Sequence, residues 1–218
     1  MWKSKLRVKA IIFDLDGTLV NSKEAYREAA EIAVVATGDW KMDARTVMEI
    51  PRRLEQNLPI DDLIAGTDVD RFKEIYLGAY YQATMQKTRP FPRVASALEE
   101  LSELKLAVTT RRNVPETEVR RELAKFGLAK YIQKIVTSQN TSRPKPSPEA
   151  LIKCAEYLNV EIEDCAVVGD SITDVRAGKN AGAKTVAVLT GIFTREELER
   201  EKPDLVLQNV TELPKFLE

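Results

Sequence analysis

From Val94 onward, short apolar runs alternate with amphipathic stretches of helical length, and nothing else in the chain constrains its fold as tightly. Residues 105–109, 132–137, 165–168, 185–189 and 205–207 read as strands. Residues 94–103, 116–126, 148–158, 172–179, 195–201 and 212–217 read as helices. A further apolar run, residues 7–14, supplies a strand at the start of the chain. Strands without a polar face, joined by helices, predict a parallel sheet covered on both sides. Ligands of such sheets gather beyond the carboxyl ends of the strands.

The stretch between Thr18 and Arg89 has a different character. It holds helical patterns over residues 24–36, 44–50 and 70–86 and no convincing strand, with Ser22 placed to cap the first helix. Phe72, Tyr76, Tyr80 and Tyr81 read as a packing stripe, three of them near helical spacing. Pro90 and Pro92 end the helical stretch, because proline restricts its own backbone and that of the residue before it. We therefore expect an all-helical unit over residues 20–90, inserted into a core formed by residues 1–19 and 91–218.

Composition removes several chemistries. The 218 residues contain no histidine, which excludes a histidine base and any histidine-ligated zinc, and the two cysteines cannot make a zinc site alone. Cys154 and Cys165 sit among apolar neighbours and read as small buried hydrophobes. Catalysis is left to carboxylates, hydroxyls, lysines and arginines. A formal net charge of -1 suggests no broad nucleic-acid surface, and no apolar run is long enough to span a membrane. We expect a cytoplasmic protein without nucleic-acid or membrane partners, as monomer or homodimer.

Four clusters lie where predicted strands end. The run Ile11-Ile12-Phe13 meets Asp14-Leu15-Asp16-Gly17-Thr18, a carboxylate pair suited to a hard cation and to nucleophilic attack on phosphorus. Strand 105–109 ends in Thr109 and Thr110, followed by Arg111 and Arg112. Lys145 lies in the proline-stiffened run Pro144-Lys145-Pro146, placed to offer a point charge to phosphate. Strand 165–168 leads into Gly169-Asp170-Ser171-Ile172-Thr173-Asp174, where the second acid follows one helical turn after the first.

The order and spacing of these clusters resemble the four motifs of the haloacid dehalogenase-like hydrolases, mostly magnesium-dependent phosphatases, from Arg7 to about Gly191. The helical insertion resembles the cap of their phosphoglycolate phosphatase and beta-phosphoglucomutase-like branch. The resemblance implies an α/β fold with a Rossmann-like, three-layer parallel sheet core and an inserted all-helical cap. It implies Mg2+ as cofactor, with Asp14 as nucleophile and metal ligand, Asp16 as general acid/base and ligand through its carbonyl, Asp170 as ligand and Asp174 in support. Thr110, with Thr109 one register step away, would donate a hydrogen bond to the phosphoryl group, and Lys145 would neutralise its charge. Arg111 and the hinge and cap residues Asn21, Arg52 and Arg53 are placed to meet an anionic substrate.

The expected activity is hydrolysis of a small-molecule phosphate monoester, phosphoglycolate- or sugar-phosphate-like, through an aspartyl-phosphate. A sugar-phosphate mutase, a pyrophosphatase and a non-catalytic phospho-ligand binding protein are the alternatives. Relatives that cleave carbon–halogen bonds lack the acid two positions after the nucleophile, whereas Asp16 is present.

Overall fold

The structure is a computed structural model and describes residues 5–38, 42–64 and 66–218. It divides into two units, one formed by residues up to Asn21 and from Pro90 onward, the other by Ser22–Arg89.

The first unit is built on six parallel strands. They are β1 (Ala10–Asp14), β4 (Lys105–Thr109), β5 (Lys134–Val136), β6 (Cys165–Gly169), β7 (Lys184–Val188) and β8 (Leu205–Leu207), in the spatial order β5-β4-β1-β6-β7-β8. Two short strands, β2 (Val20–Asn21) and β3 (Arg89–Pro90), make a separate two-stranded sheet. The helices are α4 (Val94–Glu100), α5 (Glu116–Lys125), α6 (Glu149–Leu158), α7 (Ile172–Ala181) and α8 (Arg195–Arg200). This is a Rossmann-like α/β core carrying an inserted helical cap.

Strand β1 lies in the middle of the sheet and every one of its residues is buried, which explains its unbroken apolar run. Ala10 and Ile12 face a cluster with Ala107, Val136, Leu151, Cys154 and Leu158. Ala187 packs with Ile172, Val175, Phe193 and Leu198 in another. Each fully buried Ile, Leu or Phe in such a core contributes about 1.5–3 kcal/mol relative to exposure. Both cysteines are free and buried, with burial pushing the Cys154 thiol up to about 12. That suits packing rather than reaction.

The second unit consists of α1 (Lys23–Thr37), α2 (Ala44–Glu55) and α3 (Val69–Lys87). Alanines 25, 29, 30 and 33 of α1 belong to the same buried cluster as Phe72, Tyr76, Tyr80 and Ala83 of α3. Small residues on one helix leave room for the aromatic stripe on the other. Tyr26 stacks on Tyr80 with centroids 4.8 Å apart, so these rings pack the cap itself.

Three local expectations need correction. Helix α2 does not stop before Pro51 but runs through it to Glu55, proline removing one backbone donor without ending the helix. Ser22 takes the N-cap position of α1 without a side-chain capping bond. The expected terminal helix is a 3-10 run, Val210–Phe216, containing Pro214. Among the described residues, no helix is long and apolar enough to cross a membrane.

Candidate active site

The first acid is delivered by β1. Asp14 is its last residue, and the register pairs it with Thr109 at the end of β4. Neighbouring parallel strands turn paired residues to the same face, as Ile12 and Ala107 demonstrate two residues earlier by sharing one cluster. Thr109 therefore shares Asp14's face. Thr110 lies one residue past the strand, and its hydroxyl accepts the Arg112 backbone N–H at 3.1 Å.

The second and third acids come from β6 and α7. Asp170 follows the strand directly, and Asp174 sits in the first turn of the helix. Asp174 completes a capping box with Ser171, the Ser171 hydroxyl accepting the Asp174 N–H while Asp174 accepts the Ser171 N–H. Helix start and site geometry are thus fixed by one pair of residues. The Asp174 carboxylate also accepts from Lys145 Nζ at 2.7 Å, and Asp14 accepts from the same ammonium at 2.5 Å.

Carboxylate oxygens of Asp14, Asp170 and Asp174 all lie within 4.8 Å of one another. Burial, opposed by Lys145 and reinforced by Asp174, pushes the Asp14 carboxyl well above the usual carboxylate range. Burial alone would pull Lys145 down, but Asp14 and Asp174 outweigh it and hold the ammonium charged. Three buried acids against one amine leave an excess of negative charge that a divalent cation would relieve, and hard oxygen donors are what such a cation takes. The donor set fits a divalent metal.

The backbone around Asp170 is shaped to admit its side chain. Gly17 has φ +86°, and a Cβ there would overlap the Asp170 carboxylate, as would one at Gly191. Thr18 donates its hydroxyl to Asp170 at 2.8 Å, and Thr190 donates to the Gly17 carbonyl at 2.5 Å. No local sequence pattern marks the Thr190–Gly191 loop. Its role is invisible in the sequence because it reaches Gly17 and Asp170 only through the fold.

Lys145 rests on a loop with three anchors. Glu149, at the start of α6, accepts from the Ser142 and Arg143 backbone N–H groups. Asn180 donates to the Pro146 carbonyl at 2.9 Å, and Arg111 donates to the Lys145 carbonyl at 3.2 Å. Arg111 therefore holds the lysine loop, a task its position in the sequence did not disclose.

Asp16 is held from the opposite direction in sequence. Arg112 donates Nη2 to one of its oxygens at 2.6 Å and Nε to the other at 2.8 Å, and its Nη1 meets Glu122 of α5. Arg112 is buried, not a solvated surface arginine.

The remaining expected residues lie at the end of β2 and in the helical unit. Asn21 is exposed at the end of β2. Arg52 pairs with Glu49, and Arg53 meets Glu49, Asp62 and the Pro59 carbonyl, all within the cap.

A family model described as haloacid dehalogenase-like hydrolase matches residues 11–188. A phosphoglycolate phosphatase of Vibrio parahaemolyticus is 30% identical over 215 residues, covering 94% of each chain. A Caldanaerobacter subterraneus protein provisionally named a pyrophosphatase is 29% identical, covering 97% of this chain and 96% of its own. In structure, a haloacid dehalogenase-like hydrolase from Streptococcus pneumoniae superposes with a TM-score of 0.78 at 22% identity, covering 96% of this chain and 98% of that one.

Proposed function

The chain belongs to the haloacid dehalogenase-like hydrolase family, and on that premise we propose that it is a magnesium-dependent phosphatase that hydrolyses a small-molecule phosphate monoester, phosphoglycolate- or sugar-phosphate-like. The observation that carries this reading is the convergence of Asp14, Asp170, Asp174 and Lys145 beyond the carboxyl ends of β1 and β6, with Asp16 two residues after Asp14.

The Asp14 carboxylate attacks phosphorus in line with the ester oxygen. A P–O bond forms to Asp14 as the bond to the leaving oxygen breaks, and Asp16 gives that oxygen its proton. Asp16, now ionised, takes a proton from water, which attacks the aspartyl-phosphate and releases inorganic phosphate and free Asp14. Asp14, Asp170 and the Asp16 carbonyl would hold Mg2+, with Asp174 behind them, and the ion would offset charge on the phosphoryl oxygens. Lys145 does the same from the protein side and orients Asp14. We assign the phosphoryl hydrogen-bond donor to Thr109 rather than Thr110, because Thr109 shares the face of Asp14. Asn21 and Arg52 are our candidates for recognising the leaving group, while the contacts of Arg53 give it a structural task in the cap.

A panel of phosphoglycolate, sugar phosphates and pyrophosphate, assayed with and without Mg2+, tests the reading. Metal-dependent release of phosphate from one monoester is the expected result. Release from pyrophosphate alone would move the protein toward its pyrophosphatase-named relative, and no release with any of them would remove the phosphatase reading.

A further inference from the structure

One buried residue of the core and one half-buried residue take no part in the steps above. Arg112 follows the two threonines after β4, and Glu122 projects from α5. Their side chains are 4% and 13% exposed, and that of Asp16 is 8% exposed. A charged triad this deep is costly unless each charge is matched. Here the guanidinium grips both oxygens of Asp16 with two different nitrogens, while its remaining edge is held by Glu122. A forked grip fixes the plane of a carboxylate as well as its place, which a lysine's single point charge cannot do. The loop is pinned as well, since the Arg112 N–H is accepted by Thr110 and the Arg112 carbonyl accepts from the Ser138 N–H.

We propose that Arg112 is the positioning residue of Asp16 as base: it holds the carboxylate in the orientation from which Asp16 takes a proton from the attacking water, and Glu122 sets Arg112. This rests on the phosphatase reading. Asp16 sits in a glycine-containing turn that leaves the sheet, and proton transfer tolerates little misplacement, a shift of about 1 Å being worth on the order of 100-fold in rate. The turn's own hydrogen bonds fix the backbone near Asp16, Gly17 N–H donating to the Val20 carbonyl at 2.7 Å. Arg112 fixes the side chain.

The test is a double-mutant cycle on the full-length protein with Mg2+, using the panel ester that turns over fastest. Arg112→Lys keeps the charge and removes the fork, and we expect kcat to fall about 10- to 100-fold with KM within threefold. Glu122→Gln should give a smaller fall of the same kind. In an Asp16→Asn background both losses should vanish to within about twofold, because a residue acting through Asp16 has nothing left to position. A structural defect would instead multiply onto the Asp16→Asn loss. Should Arg112→Lys fail to fold, as judged by circular dichroism, the Glu122→Gln arm decides alone. A wild type that turns over, with Arg112→Lys or Glu122→Gln either harmless or fully multiplicative on Asp16→Asn, overturns the inference and leaves the phosphatase standing. A wild type silent on the whole panel overturns both.

Discussion

The core and the cap of this molecule both carry many charges but arrange them in opposite ways. In the core, the decisive pairs are buried and join distant parts of the chain: Lys145 to Asp14, Arg112 to Asp16, Thr18 to Asp170. In the cap, the pairs are mostly neighbours on one helix or across a short turn, such as Arg27 with Glu31 and Arg53 with Glu49. The cap is held by apolar and aromatic packing, and its charges dress the surface. Buried pairs cost desolvation and are retained where chemistry uses them, whereas exposed pairs are worth little either way. The contrast is the one the proposed chemistry of the core leads us to expect.

The sharpest way to break this contrast is Asp14→Asn, which should lower kcat by about a thousandfold or more while circular dichroism stays that of the folded protein. Retained turnover would remove Asp14 as nucleophile. Next in size, Phe72→Ala should cost about 3–5 kcal/mol in denaturant unfolding, since Phe72 is fully buried in the cap cluster. A loss below about 1 kcal/mol would mean the aromatic stripe does not hold the cap. Arg53→Gln should cost less than about 1 kcal/mol, because its partner Asp62 is 64% exposed. A tenfold fall in kcat/KM there would instead make Arg53 part of substrate recognition and blur the contrast.

The smallest effect concerns the lysine loop. Lys153 and the Ser142 N–H hold the Glu149 carboxyl down at about 2, against 4.5 for an unperturbed glutamate. A depressed carboxyl contributes stability that is full above about 4.5 and is lost as pH falls toward about 2. Wild type should therefore lose slightly more stability than Glu149→Gln over that acid range, and equal losses in both would detach Glu149 from the loop.

Much of the site was legible because its motifs are contiguous. The run ending in Asp14 and Asp16 and the string from Gly169 to Asp174 each pair a buried strand with the acids that follow it. The choice between Thr109 and Thr110 was not legible, since a single register step in a strand turns a side chain to the other face. Nor were the partners of Asp16. Arg112 lies 96 positions away, and nothing in the run Thr110-Arg111-Arg112 tells a buried arginine from a solvated one. Thr190 reaches Gly17 across 173 positions. Contacts at such separation are set by the strand order, in which β1 lies between β4 and β6. For the helical insertion, sequence periodicity gave the helices and their packing stripe, but the 44–50 pattern fell short of Glu55, because the helix continues through Pro51, where proline is uncommon yet tolerated.

The central claim is that the phosphoryl group passes through Asp14. The direct measurement is an acid quench of the magnesium-loaded enzyme within its first turnovers of the best substrate, followed by mass spectrometry of its peptides. A hydroxylamine-labile phosphoryl group on Asp14, appearing and decaying with the rate of turnover, is the predicted result. Turnover with the phosphoryl group on a different residue, or with Asp14 unlabelled throughout, would contradict the account.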